Sequence, residues 1–250
     1  MEEKYKDIIN LIKNSKAELL VFSENNFPYI VNNLEDIEIG KILNENQTVI
    51  MGATRQDNNK FYNSLLVIKK NNINFFDKKI LVPFGEFIPF RDYFEFIEPI
   101  AGTVDFSTGD QERLLNINDK NTFIPVICYE IIFFWKILNK INNLSDVIIN
   151  ITNDSWFGNL IGPYQHFYLT KMRASELNKL ILRVSDNGIS GIINNKGSIV
   201  NFSYLNTTNI ISEKIELNKN SNLLVFHKIY NFILIFSFIG FVAFSFIKNK

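Results

Sequence analysis

The chain has 250 residues, 46% hydrophobic and 21% charged, with 26 Lys and Arg balanced by 26 Asp and Glu. That is enough apolar mass for one large domain or two small ones with a proper core, and it excludes a disordered or fibrous chain. Zero net charge argues against non-specific nucleic-acid binding, one cysteine excludes an internal disulfide, and one cysteine with two histidines leaves no zinc site of Cys and His ligands.

In chain order, Met1 to Asp7 is charged and leads into no apolar h-region, so it is not a secretory signal. Ile8, Ile9, Leu11 and Ile12 recur at helical spacing and predict a helix over Lys4 to Asn14. Short β-type runs predict strands at Glu18 to Phe22, Val49 to Ala53, Ser64 to Ile68, Ile73 to Phe76, Phe123 to Ile127, Val147 to Ile151, Leu180 to Val184 and Ile189 to Ile193. Further helices are predicted at Ile131 to Ile141 and Gln165 to Asn178, and Asn194 to Gly197 reads as a turn between strands. This alternation implies an α/β layered fold, with one globular domain over residues 1–226. Ile229 to Ile247 is an uncharged run whose length as a helix, about 28 Å, matches a bilayer core, so a transmembrane helix is expected at 229–247. Basic residues flank it on both sides, and the orientation signal is weak.

Polar residues collect where buried strands end, the place where ligands gather in open α/β sheets. Leu19 to Phe22 runs into Ser23-Glu24, Ile73 to Phe76 into Asp77-Lys78, and Phe123 to Ile127 into Cys128-Tyr129-Glu130. Taken singly, each is as readily an inert core thiol or a solvated charge. Together they supply a nucleophile, a carboxylate base and an ammonium. A thiol attacks a carbonyl only as thiolate, so Cys128 needs a neighbour to take its proton. Glu24 can do so if burial raises its pKa. Lys78 can stabilise the oxyanion, together with backbone N–H groups at the start of the following helix. The placement of Cys128 between strand and helix has the character of a nucleophile elbow. His166 and His227 show no partner pattern, so a His-based thiol mechanism is disfavoured.

Glu24, Lys78 and Cys128 resemble the Glu-Lys-Cys triad of the carbon–nitrogen hydrolase (nitrilase) superfamily. Leu81-Val82-Pro83-Phe84-Gly85-Glu86, Cys128-Tyr129-Glu130, Asn153 to Gly158, Gly162 to His166 and Met172-Arg173-Ala174 narrow the resemblance to the apolipoprotein N-acyltransferase family. It runs from about Glu18 to the final apolar segment. It implies a nitrilase-like α-β-β-α sandwich on the periplasmic side of a bacterial inner membrane. It also implies an acyl chain passing from a phospholipid through a Cys128 thioester to the N-terminal diacylglyceryl-cysteine of a lipoprotein, with no metal or organic cofactor. Glu86 and Glu130 match further carboxylates, expected to orient Lys78 and shape the pocket, and Tyr129 matches a sensitive position beside the nucleophile. Members carry membrane helices and a first strand ahead of this domain. Neither precedes Glu2 here, so the domain reads as N-terminally truncated, and a separate chain could supply the helices. Phe22-Ser23 stands where the family usually has Trp-Pro or Tyr-Pro.

Phe84, Phe87, Ile88, Phe90, Tyr93, Phe94, Phe96 and Ile97 crowd the stretch after Lys78, where Pro83, Pro89 and Pro99 break regular structure. An apolar mouth that dips into a bilayer is the expectation there. Two alternatives stay open: a nitrilase-type amidase on a small substrate, and a catalytically inactive fragment or subunit of a split acyltransferase.

Overall fold

The computed structural model describes residues 1–91, 104–137, 145, 147–217 and 232–241. The chain separates into two compact units, Met1–Lys219 and Asn220–Lys250.

The first unit contains two sheets. Strands β1 (Leu19–Val21), β2 (Thr48–Asp57), β3 (Lys60–Lys69) and β4 (Asn72–Asp77) lie side by side in that order. β1 and β2 are parallel, while β2, β3 and β4 form an antiparallel meander. Asn58 and Asn59 both adopt positive φ, the conformation a two-residue hairpin turn requires, and close β2 onto β3. The second sheet runs β10-β9-β8-β7-β6-β5, from Leu115–Asn116 (β5), Thr122–Ile127 (β6), Val147–Asn153 (β7), Leu180–Asp186 (β8), Gly191–Ile193 (β9) and Ile199–Phe202 (β10). Its centre, β6-β7-β8, is parallel.

The period of two along each strand assigns every side chain to a layer. Ile50, Leu65, Val67 and Phe76 of the first sheet meet Phe123, Ile127, Ile149, Ile151 and Leu182 of the second in one core. The opposite face of the first sheet, with Val49, Met51, Ala53, Leu66 and Ile68, is covered by α1 (Glu2–Asn14) through Ile8 and Ile12, one turn apart. The opposite face of the second, with Ile124, Val126, Ile148 and Ile181, is covered by α2 (Gly162–Leu177) through Phe167, Ala174 and Leu177. The result is the α-β-β-α layering expected from the sequence. Each of the larger side chains among these, the Val, Leu, Ile, Met and Phe, contributes about 1.5–3 kcal/mol by leaving water.

Two expectations change. The element after β6 is not a helix over Ile131 to Ile141. It is a 3-10 turn, Cys128–Ile132, followed by one helical turn at Phe134–Ile137, and residues 138–141 lie outside the described residues. Of the expected span at 229–247, residues 232–241 are helical and the rest lies outside the described residues. Among the described residues no helix is long and apolar enough to cross a membrane.

Candidate active site

The site forms where β1, β4, β6 and β7 end. After Val21 the chain continues alongside β2: Phe22 N–H donates to Ile50 O (2.8 Å), Gly52 N–H to Ser23 O (3.0 Å) and Phe27 N–H to Gly52 O (2.9 Å). Gly52 is required there, because a Cβ would fall 2.5 Å from Asn25 N and 2.6 Å from Glu24 Cα. This close approach turns Glu24 inward, where it is only 5% exposed. Lys78 follows β4 directly and is 1% exposed, and its N–H donates to the Asn63 carbonyl at 2.8 Å. Cys128 follows β6 with φ +52°, a left-handed backbone that a side chain adopts only when its surroundings impose it.

The three side chains expected to act together do converge. The Cys128 thiol lies close enough to the Glu24 carboxylate for the two to act on each other electrostatically. Lys78 Nζ lies 3.9 Å from Glu24 Oε1 and 2.8 Å from the Glu86 carboxylate. Each oxygen of Glu24 accepts a hydrogen bond, Oε1 from Asn63 Nδ2 (2.6 Å) and Oε2 from the Asn153 N–H (2.7 Å). Asn63 Nδ2 also donates to Glu86 Oε1 at 2.8 Å. Glu86 further accepts from the Val82 N–H (2.9 Å), which ties the loop after Lys78 back onto the site.

Electrostatics set the proton positions. Burial raises the pKa of Glu24, against the opposing pull of Lys78 and Asn63. Burial and the Glu24 charge push the Cys128 thiol up to about 12, with Lys78 opposing. Burial works against the Lys78 ammonium, but Glu24, Cys128 and Glu86 outweigh it and raise its pKa. A thiol whose pKa stands so far above neutrality rests protonated at pH 7. The nearest titratable base to the thiol is the buried Glu24 carboxylate.

The remaining expected residues are placed as follows. Glu130 does not touch the Lys78 side chain. It is clamped by Arg113 (2.7 and 2.8 Å) and accepts from the N–H groups of Lys79 (2.8 Å), Ile80 (3.1 Å) and Ile127 (2.9 Å). One carboxylate thus fixes the backbone just after Lys78 and just before Cys128. Burial would raise its pKa, but Arg113 and the Ile127 N–H hold it down. Tyr129 packs edge-on against Phe133, ring centroids 5.3 Å apart. A five-residue 3-10 turn, Cys128–Ile132, stands where a longer helix was expected to present backbone N–H groups. Phe84 and Phe90 are exposed and Ile88 is buried; Tyr93, Phe94, Phe96 and Ile97 lie outside the described residues.

Asn63, Arg113 and Arg183 escaped the sequence, whereas Asp154 and His166 fall within the motifs noted there. Asp154, His166 and Arg183 form a buried cluster: Arg183 Nη2 donates to Asp154 Oδ2 (2.6 Å) and His166 Nδ1 meets Asp154 Oδ1 (2.8 Å). Burial opposes ionisation of Asp154, but His166 and Arg183 hold its pKa down to about 2. Burial and Arg183 lower that of His166, so the ring is neutral and Nδ1–H donates to Asp154. His166 Nδ1 is thereby committed to the cluster. Among the described residues no group of His, Cys, Asp and Glu could hold a metal ion.

A model of the carbon-nitrogen hydrolase family matches residues 3–221. Among curated proteins, the chain is 33% identical over 247 residues to apolipoprotein N-acyltransferase of Rickettsia prowazekii, covering 92% of this chain and 48% of that one. It is 35% identical over 214 residues to the protein of that name from Rhizobium leguminosarum bv. trifolii, covering 80% and 40%. The chain spans less than half the length of these relatives. Among solved structures, a CN-hydrolase superfamily protein from Xanthomonas campestris aligns with TM-score 0.60 at 13% identity, covering 80% of this chain and 78% of that one. Saccharomyces cerevisiae Nit3, of the nitrilase superfamily, aligns with TM-score 0.59 at 16% identity, covering 81% and 78%. These two likenesses concern the fold.

Proposed function

The chain belongs to the carbon–nitrogen hydrolase family, and we propose that it carries the acyl-transfer site of an apolipoprotein N-acyltransferase. One observation carries the reading: a carboxylate, an ammonium and a thiol, separated by 54 and 50 positions in sequence, are buried together where the strands end, with Lys78 Nζ 3.9 Å from Glu24 Oε1 and the thiol beside both charges. The relatives' name supplies the acceptor, an apolipoprotein amine, while the phospholipid donor follows from the sequence resemblance. The exposed aromatic residues Phe90 (77%) and Trp156 (71%) suit an apolar substrate better than a small polar amide.

In this mechanism the Cys128 sulfur bonds to the ester carbonyl carbon of a phospholipid while its proton passes to Glu24. Lys78 faces the negative charge that develops on the carbonyl oxygen. Collapse breaks the ester C–O bond, and Glu24 returns its proton to the departing lysophospholipid oxygen, leaving a thioester on Cys128. The α-amino group of a diacylglyceryl-cysteine then attacks the thioester carbon and gives one proton to Glu24. Cleavage of the C–S bond frees the sulfur, which recovers that proton. Atoms and charges balance with no metal or organic cofactor, and each half-reaction uses the same pocket. Glu86 keeps Lys78 in place, while Glu130 and Arg113 hold the loops that present Lys78 and Cys128. The proposal places this pocket at the periplasmic face of an inner membrane, with residues 229–247 as the span.

The test supplies membranes containing the chain with a phospholipid of labelled acyl chain and a synthetic diacylglyceryl-cysteine peptide. Label in an amide on the peptide, abolished by Cys128→Ala, supports the reading. Release of ammonia from small amides without lipid turnover would replace it with an amidase.

A further inference from the structure

We propose that Asn63 is a positioning residue that gives the two carboxylates of the pocket separate tasks, holding Glu24 against Cys128 as proton acceptor and leaving Glu86 as the partner of Lys78. The inference rests on the acyl-transfer reading above, but its test does not.

Asn63 lies on β3, opposite Thr54 of β2, and is 2% exposed. Strand alternation sends its side chain into the pocket, whereas the next residue, Ser64, points to the other side and donates to Asp77 Oδ1 at 2.5 Å. Asn63 spends its amide hydrogens on Glu24 Oε1 (2.6 Å) and Glu86 Oε1 (2.8 Å). Its own Oδ1 is buried and finds no hydrogen-bond partner among the described residues. A buried unpaired carbonyl opposes folding. Turning the amide over would be worse, because Oδ1 would then face two carboxylate oxygens. The orientation is therefore dictated by the carboxylates, at a cost to the amide itself.

What the amide accomplishes follows from the charges. Two carboxylates and one ammonium share the pocket, and Lys78 sits at 2.8 Å from Glu86 but 3.9 Å from Glu24. Asn63 and the Asn153 N–H occupy the Glu24 oxygens with neutral donors. Glu24 is thus held in register without a tight ion pair, which would make it too weak a base for so reluctant a thiol. The Asn63 backbone carbonyl also accepts from the Lys78 backbone N–H, so one residue is bonded to both carboxylates and to the chain at Lys78.

The test measures the rate of Cys128 alkylation by iodoacetamide against pH, on the full 250-residue chain in detergent. Sulfur displaces iodide, and Glu24 takes the thiol proton. Glu24 is faced by Lys78, Asn63, Glu86 and Cys128. The Asn63 hydrogen bond favours its charged form, so Asn63→Ala should move the acid limb of the profile to higher pH by about one unit, roughly a tenfold slower reaction on that limb. Asn63→Ser, with one hydroxyl donor for two carboxylates, should give an intermediate limb and decides the matter if the alanine variant does not fold. A limb at the wild-type pH in the variants, with only a uniform change of rate, would overturn the proposal. A wild-type profile without an acid limb would do the same. Because no acyl donor is consumed, a shifted limb alongside failed lipid labelling would sink the substrate reading and leave the task of Asn63 standing.

Discussion

The Lys78 ammonium lies 2.8 Å from the Glu86 carboxylate and 3.9 Å from that of Glu24, so a single cation is the close partner of one acid and only the neighbour of the other. On the proposed mechanism, this asymmetry separates a structural carboxylate, Glu86, from the reactive one, Glu24. Glu86→Gln should abolish it. Lys78 would turn to Glu24, and the repulsion by which Glu86 raises the Glu24 pKa would be lost. The acid limb of Cys128 alkylation should then move to lower pH, with a maximal rate about 10–100-fold lower because Glu24 has become a weaker base. A limb that moves upward would contradict this.

Gly52 tests the dependence on backbone placement. A Cβ there would fall within 3 Å of Asn25 N, Glu24 Cα and Ser23 O, all backbone atoms that cannot swing aside. Gly52→Ala should displace Glu24, lower kcat at least tenfold and destabilise the domain by about 1–3 kcal/mol. Turnover and thermal unfolding measured together check it, and wild-type turnover would show that Glu24 tolerates displacement.

Arg113 is the counter-ion of a fully buried carboxylate, at 2.7 Å from Glu130. Arg113→Met strands that charge, which typically costs about 3–5 kcal/mol. It also releases the clamp on the backbone at Ile127, Lys79 and Ile80. Denaturant unfolding should show the loss. The companion change Glu130→Gln should also lower turnover, because the same three N–H groups lose a charged acceptor. Retention of both stability and turnover would remove the clamp from the account.

Asp154 predicts the behaviour at low pH. Its pKa is depressed from the usual value near 3.8 to about 2. The folded state therefore binds the proton more weakly than the unfolded chain. The associated stability, about 2 kcal/mol, is fully present above pH ~4 and drains away as pH falls toward 2. Asp154→Asn should remove this part of the acid dependence and lower the melting temperature by several degrees at pH 7, because Arg183 loses its buried partner. Melting curves from pH 2 to 7 would reveal it, and parallel curves for variant and parent would refute it.

Most of the sandwich could be read directly, because strands buried on both faces leave short uninterrupted apolar runs. Glu24, Lys78 and Cys128 stood out because each follows such a run. Asn63 did not, since its polarity placed it outside the strand predicted to begin at Ser64, whereas β3 starts at Lys60. The signal was an amide flanked by β-forming residues. Arg183 offered a stronger signal: a charged residue amid the apolar run Leu180 to Val184 must have a buried acid as partner. That partner, Asp154, sits 29 positions earlier, a pairing fixed only by the β7-β8 register and the helix above it. The predicted helix after Cys128 failed for a similar reason. The apolar residues Ile131 and Ile137 are core contacts of an irregular segment, not one face of a continuous helix.

The most direct test of the central claim is the mass of the Cys128 peptide after the chain has been mixed with vesicles of a phospholipid of defined acyl chain and no acceptor. The account predicts one added acyl group on Cys128, removed by neutral hydroxylamine and absent from Glu24→Ala. A folded chain whose Cys128 still reacts with iodoacetamide yet never carries an acyl group would contradict it.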